Sequence, residues 1–353
     1  VMLSLAGLPA SLWSAPDTGD NYKILIEQEG IYRITRDWLT TMGRSADQID
    51  TVELSAASMY YLGDAIAVNV HDDNANNRLD EADYIELYAQ PVDSTLSKYA
   101  KYNVYWLTSG GPATRMDTID GTPGSASAAT THSYTVRHEQ DQLYLMAGRG
   151  SDDIDRWVMF GVAFGDQIAH AQAGVARDFT INLPDVSGDN TGNLTIHMYS
   201  PYEGDHTATV DVNGTYVGTA AWSGMRYHTA TFDGVDLTDG DNTISITCTS
   251  GEDKIVFDWF TVTYDRAFSA DGDAIKFTYQ SGYTYPITGF TSNARAFDIT
   301  DSTDVKPITG ATITGTGPYA YSFEPPNDAT SRSYMVLTED QIQPPHRLHT
   351  AQP

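Results

Sequence analysis

Cysteine is almost missing from this chain of 353 residues: Cys248 stands alone. No internal disulfide can form, so the fold must rest on its core or on a bound ion, a choice compatible with a secreted bacterial protein. Basic residues are scarce as well. Twenty Lys and Arg face 47 Asp and Glu, a formal net charge of −27, and such a polyanion repels nucleic acid and anionic membrane, which argues against both as partners. No run approaches the roughly 18 apolar residues that a membrane-spanning helix needs, so no membrane insertion is expected.

Single cores stop growing at roughly 250–300 residues, so this length suggests two or three domains. The apolar opening Val1 to Pro9 has no basic residues ahead of it. It reads as a first strand or turn, with a signal-peptide remnant over residues 1–14 as the alternative.

The most legible chemistry lies between Asp72 and Asp83. Counting Asp72 as the first position, side-chain oxygens fall at the first, third, fifth, ninth and twelfth places: Asp72, Asn74, Asn76, Asp80 and Asp83. Arg78, at the seventh, can offer its carbonyl. Calcium takes about six to eight hard oxygens, and this is the spacing with which an EF-hand loop supplies them. Two positions depart from that pattern. Asn77 stands at the sixth, where glycine normally makes the turn, although Asn tolerates a left-handed backbone. Asp83 replaces Glu at the twelfth, which makes the loop more dockerin-like. The flanks, Ala65 to Val70 and Tyr84 to Tyr88, alternate as strands do, so the loop is placed at the tip of a hairpin. An ordinary Asp/Asn-rich turn is the bland alternative.

Along the chain, Lys23–Glu27 and Gly30–Thr35 read as strands, and a short helix follows. Thr35 caps it, Trp38, Leu39 and Met42 share a face, and Gly43 closes it; Ser45 and Gln48 make a capping box for one more turn. Val52–Leu54, Met59–Leu62 and Asn103–Leu107 read as further strands. Residues 109–131, rich in Gly, Ser, Thr, Ala and Pro, read as a surface loop. Asp152, Asp153 and Asp155 precede an apolar strand. They are read as a solvent-facing or metal-binding turn rather than a catalytic pair, which needs a defined separation across its substrate.

From about residue 174 the alternation is regular. Leu194, Ile196 and Met198 point one way, as do Ala208, Val210 and Val212, and Ile244, Ile246 and Cys248. Turns are expected at Gly188-Asp189, Asn213-Gly214, Asp233-Gly234 and Asp239-Gly240, with Asn213-Gly214 the strongest hairpin signal. Cys248 on that face reads as a small buried apolar residue, not a nucleophile. The expected architecture is mainly β. An N-terminal β-rich domain with a short helix occupies 1–160, a central jelly-roll sandwich of the carbohydrate-binding-module kind 161–265, an immunoglobulin-like β-sandwich 266–343, and a mobile tail 344–353. Tyr202, Trp222 and Tyr227 lie near the loops of the central sandwich. They are candidates for stacking on a sugar, against a plain core role.

Gly30-Ile31-Tyr32-Arg33-Ile34, the acidic loop running into Asp83-Tyr84-Ile85-Glu86-Leu87-Tyr88, and Asn103-Val104-Tyr105-Trp106-Leu107 together resemble the N-terminal region of gingipain-like C25 cysteine peptidases and related surface proteins. The likeness continues through Asp155-Arg156-Trp157-Val158-Met159, Asp258-Trp259-Phe260-Thr261-Val262-Thr263-Tyr264, Ile287-Thr288-Gly289-Phe290 and Phe297-Asp298-Ile299-Thr300-Asp301. The resemblance implies a peptidase domain with a His-Gly pair and a nucleophilic Cys. None of the nine histidines here is followed by Gly. The resembling part is therefore the region that precedes that domain, and Leu337 to Ile342 looks like the junction. It implies an extracellular or cell-surface, non-catalytic region that folds, positions or keeps latent a peptidase domain, stabilised by calcium. A carbohydrate- or surface-binding protein acting through the central sandwich is the second expectation, and an independent hydrolase built on the clustered acids the third.

Overall fold

The computed structural model describes residues 21–93, 96–97, 99–110, 113–140, 143–144, 157–159, 174–200, 203–249 and 255–350. The opening nonapeptide, the acids at 152, 153 and 155, and Tyr202 lie outside them. The chain is mainly β and divides into two compact units, one of Val1–Ala129 with Ser269–Pro353, the other of Thr130–Phe268.

The first unit begins with β1 (Asn21–Ile26), β2 (Gly30–Thr35), α1 (Arg36–Thr41), α2 (Ala46–Ile49), β3 (Ala57–Tyr61), β4 (Asp64–Ile66), β5 (Asn69–His71), β6 (Tyr84–Ala89), β7 (Asn103–Ser109) and β8 (Ile119–Asp120). The helical signals are realised. Thr35 Oγ1 accepts from Trp38 N at 3.1 Å, Trp38 and Leu39 turn into the core, and Gly43 takes φ +84° beyond the last turn. Ser45 and Gln48 exchange both bonds of the capping box. Val52–Leu54 forms no strand, and only Glu53 bridges to Arg78.

The single strand expected over Ala65–Val70 is two. Ala67 N and Val68 N donate to Thr303 O and Thr114 O, and Met116 N donates to Val68 O. Those bonds draw the middle of the run out of one ladder. β4 stays with β3, while β5 joins β6. Residues 109–131 are also more than a loop, because β8 adds parallel to a strand of the later half. At Gly121 an added Cβ would stand 2.3 Å from Ile308 Cγ2, so glycine alone lets the two segments close.

The second unit contains β9 (Thr131–Glu139), β10 (Leu143–Tyr144), β11 (Trp157–Val158), β12 (Ala176–Leu183), β13 (Thr191–Tyr199), β14 (Asp205–Val212), β15 (Thr215–Ser223), β16 (Tyr227–Asp236), β17 (Gly240–Cys248) and β18 (Val256–Ala267). Four-stranded sheets in the orders β12-β17-β14-β15 and β16-β13-β18-β9 form its two layers. The residues expected inward, from Leu194 to Cys248, make one core with Trp222, Phe257 and Phe260. Asn213 and Gly214 take φ +51° and +80° at the β14–β15 hairpin, as a two-residue turn of this sequence requires. Gly234 makes no turn. It lies inside β16, where the register against β13 shifts. The chain enters this sandwich at β9, ahead of the expected boundary at 160, because β9 pairs along β18 from Ala267↔Thr131 to Trp259↔Glu139.

The first unit is completed by β19 (Ala274–Gln280), β20 (Tyr285–Phe290), β21 (Ala294–Asp298), β22 (Lys306–Thr309), β23 (Thr312–Thr314), β24 (Tyr319–Phe323), β25 (Ser331–Thr338) and β26 (Arg347–Thr350). Sheets β19-β25-β21-β22-β8 and β20-β24-β23 make a small sandwich, and sheets β26-β1-β7-β3-β4 and β2-β6-β5 serve the N-terminal part. The two parts share a core in which Ile31 and Tyr88 meet Phe297, Ile299, Val305 and Leu337. The tail expected to be mobile is instead ordered through residue 350. β26 pairs antiparallel with β1, from Leu25↔Arg347 to Tyr22↔Thr350. One apolar side chain, Leu348, enters the N-terminal core, and the backbone groups of the β1 edge supply the rest.

Candidate functional site

The acidic loop sits where the sequence places it, between the paired ends of β5 and β6, with His71 opposite Tyr84. Its polar side chains turn inward onto the loop. Asp72 accepts from Asn76 N at 3.1 Å and Asn77 N at 2.9 Å. Asp83, buried, closes the base by accepting from Asp73 N at 2.7 Å and Asp80 N at 2.8 Å. Asn74 and Asn76 converge on Asp80 Oδ2 at 3.0 and 2.6 Å. These two amides, Asn74 first, hold the Asp80 carboxyl below its usual value. Arg78 uses its carbonyl to accept from Asp80 N at 3.1 Å. Leu79, the one large apolar residue of the loop, is fully buried and anchors it to the core.

Asn77 adopts φ +63° and Ala75 φ +55°, so the left-handed turn expected at the sixth position is present. Asn77 also reaches outward. Its Oδ1 accepts from Ser55 N at 2.7 Å and its carbonyl from Leu54 N at 3.3 Å. The donor set is all oxygen, the kind calcium takes. Among the described residues no group of three or more His, Cys, Asp or Glu is gathered as a metal would require. Asp80 is gathered with two amides, while Asp72 and Asp83 are held on backbone N–H groups. A cation would be held by Asp72, Asn74, Asn76, the Arg78 carbonyl, Asp80 and Asp83 only after the two amides present oxygen in place of nitrogen.

Below the loop lies a network that sequence reading missed. Glu86, on β6 and fully buried, accepts from Arg33 at 2.6 Å, from Arg295 at 2.8 and 3.0 Å, and from Asn69 at 2.8 Å. Burial pushes its carboxyl up, and the guanidinium and amide donors outweigh that, leaving it lowered on balance. Arg33 and Arg295 also share Glu339. Alternation puts Glu86 on the face opposite Ile85 and Leu87, which enter the N-terminal core, and no local signal names partners 53 and 209 residues away.

Two of the sugar-stacking candidates, Trp222 and Tyr227, lie on described strands of the second unit. Trp222 is 5% exposed, inside the core and stacked on His228 at 4.9 Å. Its ring face is closed to a ligand, because the alternation of β15 turns residue 222 inward. Tyr227 is half-buried and ends a row of rings. It stacks on His197 at 5.2 Å, His197 on Trp259 at 5.0 Å, and the Arg137 guanidinium lies 4.0 Å from the Trp259 ring. β13 and β9 flank β18 on opposite sides, so both faces of Trp259 are covered. Tyr216, at 59% exposure, is an aromatic with an open face. Cys248 is 0% exposed, its side chain in the sandwich core.

No protein-family profile matches the sequence, and no curated protein matches it either. Among solved structures the chain is similar to a dimeric latent PorU from Porphyromonas gingivalis, with a TM-score of 0.65, 14% identity, and 95% of this chain covered. The match takes in 33% of the PorU chain, so the present chain spans about a third of that protein's length. Partial likenesses include the CBM36-1 domain of a multidomain xylanase from the hindgut metagenome of Trinervitermes trinervoides, with 17% identity, TM-score 0.26, 36% of this chain and 96% of that one. Another is the CBM35 from Cellvibrio japonicus Abf62, with 22% identity, TM-score 0.26, 38% of this chain and 97% of that one. At 14% identity the PorU likeness shows a shared fold and nothing finer.

Proposed function

We propose that this chain is the non-catalytic accessory region of a secreted, gingipain-like cysteine peptidase, positioning a downstream peptidase domain or keeping it latent. The observation that carries this reading is the fold likeness over 95% of the chain to one third of a latent PorU. The burial of Cys248 supports it, because a thiol sealed in an apolar core cannot reach a peptide carbonyl. The setting is extracellular or on the cell surface, which suits a chain of net charge −27 with one cysteine.

Calcium in the loop of Asp72 to Asp83 stiffens the N-terminal part in this reading. The ion supplies a central positive charge for side chains that otherwise satisfy one another. The gene tests the peptidase half. Its reading frame past Pro353 is expected to encode a domain with a His-Gly pair and a nucleophilic Cys, and a frame that encodes something unrelated overturns it.

A second reading, carbohydrate or surface binding through the second unit, keeps one foothold in Tyr216, the exposed aromatic beside the Asn213-Gly214 turn. A glycan array probed with the whole chain and with Tyr216→Ala decides it. Binding lost in the variant supports it, and a blank array removes it.

A further inference from the structure

The segment Gln343 to Thr350 is held against the N-terminal part at successive points. Gln343 bridges parallel to Tyr32, its carbonyl accepting from Arg33 N at 2.9 Å and its N–H donating to Ile31 O at 3.3 Å. Trp38 Nε1, in a buried position, donates to Pro345 O at 3.0 Å. His346 N donates to Leu25 O at 3.1 Å while its ring stacks on Tyr102 at 4.5 Å. Four residues then pair with β1, and Leu348 is only 7% exposed. Pro344, His346, Arg347 and His349 remain exposed. Main-chain bonds along a sheet edge, with one or two buried side chains setting the register, are how an extended peptide binds by strand addition. Upstream, the 3-10 turn Glu339–Gln341 begins with two exposed residues, Glu339 and Asp340.

We infer that the outer edge of β1, with the Trp38 indole and the end of β2, is a strand-acceptor site whose ligand is the chain's own segment 343–350. The site retains that segment after the covalent link is cut. A break in the Glu339–Gln341 turn therefore leaves the chain in one piece, whatever the segment is joined to. The occupied edge is also protected, since an open β1 would offer a hydrophobic strand to other chains.

The test inserts a specific protease site between Asp340 and Gln341 of the full chain, cuts it, and follows the small fragment by native size exclusion and mass spectrometry. Co-elution of the fragment at one per chain is expected, with loss of the fragment when the cut chain carries Leu348→Asp. Release of the wild-type fragment while the remainder keeps its circular dichroism overturns the inference, as does equal retention of the Leu348→Asp fragment. In the uncut chain, Leu348→Asp is expected to speed amide exchange across residues 347–350 at least about tenfold without changing α1. Unchanged exchange there also overturns it.

Discussion

Asn77 occupies the position where a calcium loop normally carries glycine, and it makes bonds that glycine cannot. It accepts Ser55 N through Oδ1 while holding φ +63°. Asn77→Ala removes that bond and puts a poorer residue in the left-handed region, at a cost of about 1–3 kcal/mol by urea denaturation. Asn77→Gly costs less, because it gives back the backbone strain. Glu86 is a sharper case. Glu86→Ala leaves Arg33 and Arg295 with Glu339 as their shared carboxylate beside a cavity, and breaking the buried side of the network costs about 3 kcal/mol, the low end for a buried ion pair. Its lowered carboxyl also fixes a pH dependence. The unfolded carboxyl ionises near about 4.3, so the stabilisation is complete above that value and is lost as pH falls through the lower folded value. Urea titrations of wild type and Glu86→Gln between pH 6 and pH 3 are expected to show a shallower acid limb in the variant. The acidic spacing was readable because its ligands lie within twelve residues; the Glu86 network was not, since its charges meet only after distant strands pair.

Elements were read well where alternation was unbroken and poorly where tertiary bonds redirected the backbone. β13, β14 and β17 present the expected faces. The run from Ala65 to Val70 splits because Thr114 and Thr303 claim its middle, and Asp233-Gly234 is absorbed into β16. The edge strand β26 gave no signal beyond Leu348 among polar neighbours. Among the histidines on the sheets of the second unit, His132, His138, His197 and His228 are each lowered chiefly by burial, with His132 pushed down to about 4. A base kept neutral in the fold binds its proton more readily once unfolded. Stability is then full above about pH 6.5 and falls as pH drops below it. For His132 alone the loss by pH 4 is on the order of 3 kcal/mol, from the separation of its folded and unfolded values. Thermal melts between pH 7 and pH 4 are expected to show this decline, and His132→Phe to flatten part of it; melts that rise on acidification contradict the burial argument.

At the level of the whole molecule, strands separated by some two hundred residues belong to one unit, and a second sandwich is inserted between them. Local pattern does not reveal such a return of the chain, which is why sequence reading divided it in three. A ligand that binds only the folded state stabilises it by mass action. Calcium at about a hundred times its dissociation constant is expected to add about 2.7 kcal/mol against the same chain in EDTA. Asp72→Ala and Asp83→Ala should each abolish the difference, and an unchanged melting temperature on chelation counts against the ion. The central claim, an accessory region with no nucleophile of its own, is tested most directly by assaying the isolated chain for peptidase turnover before and after Cys248→Ser. Rates at the blank in both forms are predicted, and turnover that disappears with the Cys248 thiol would contradict the account.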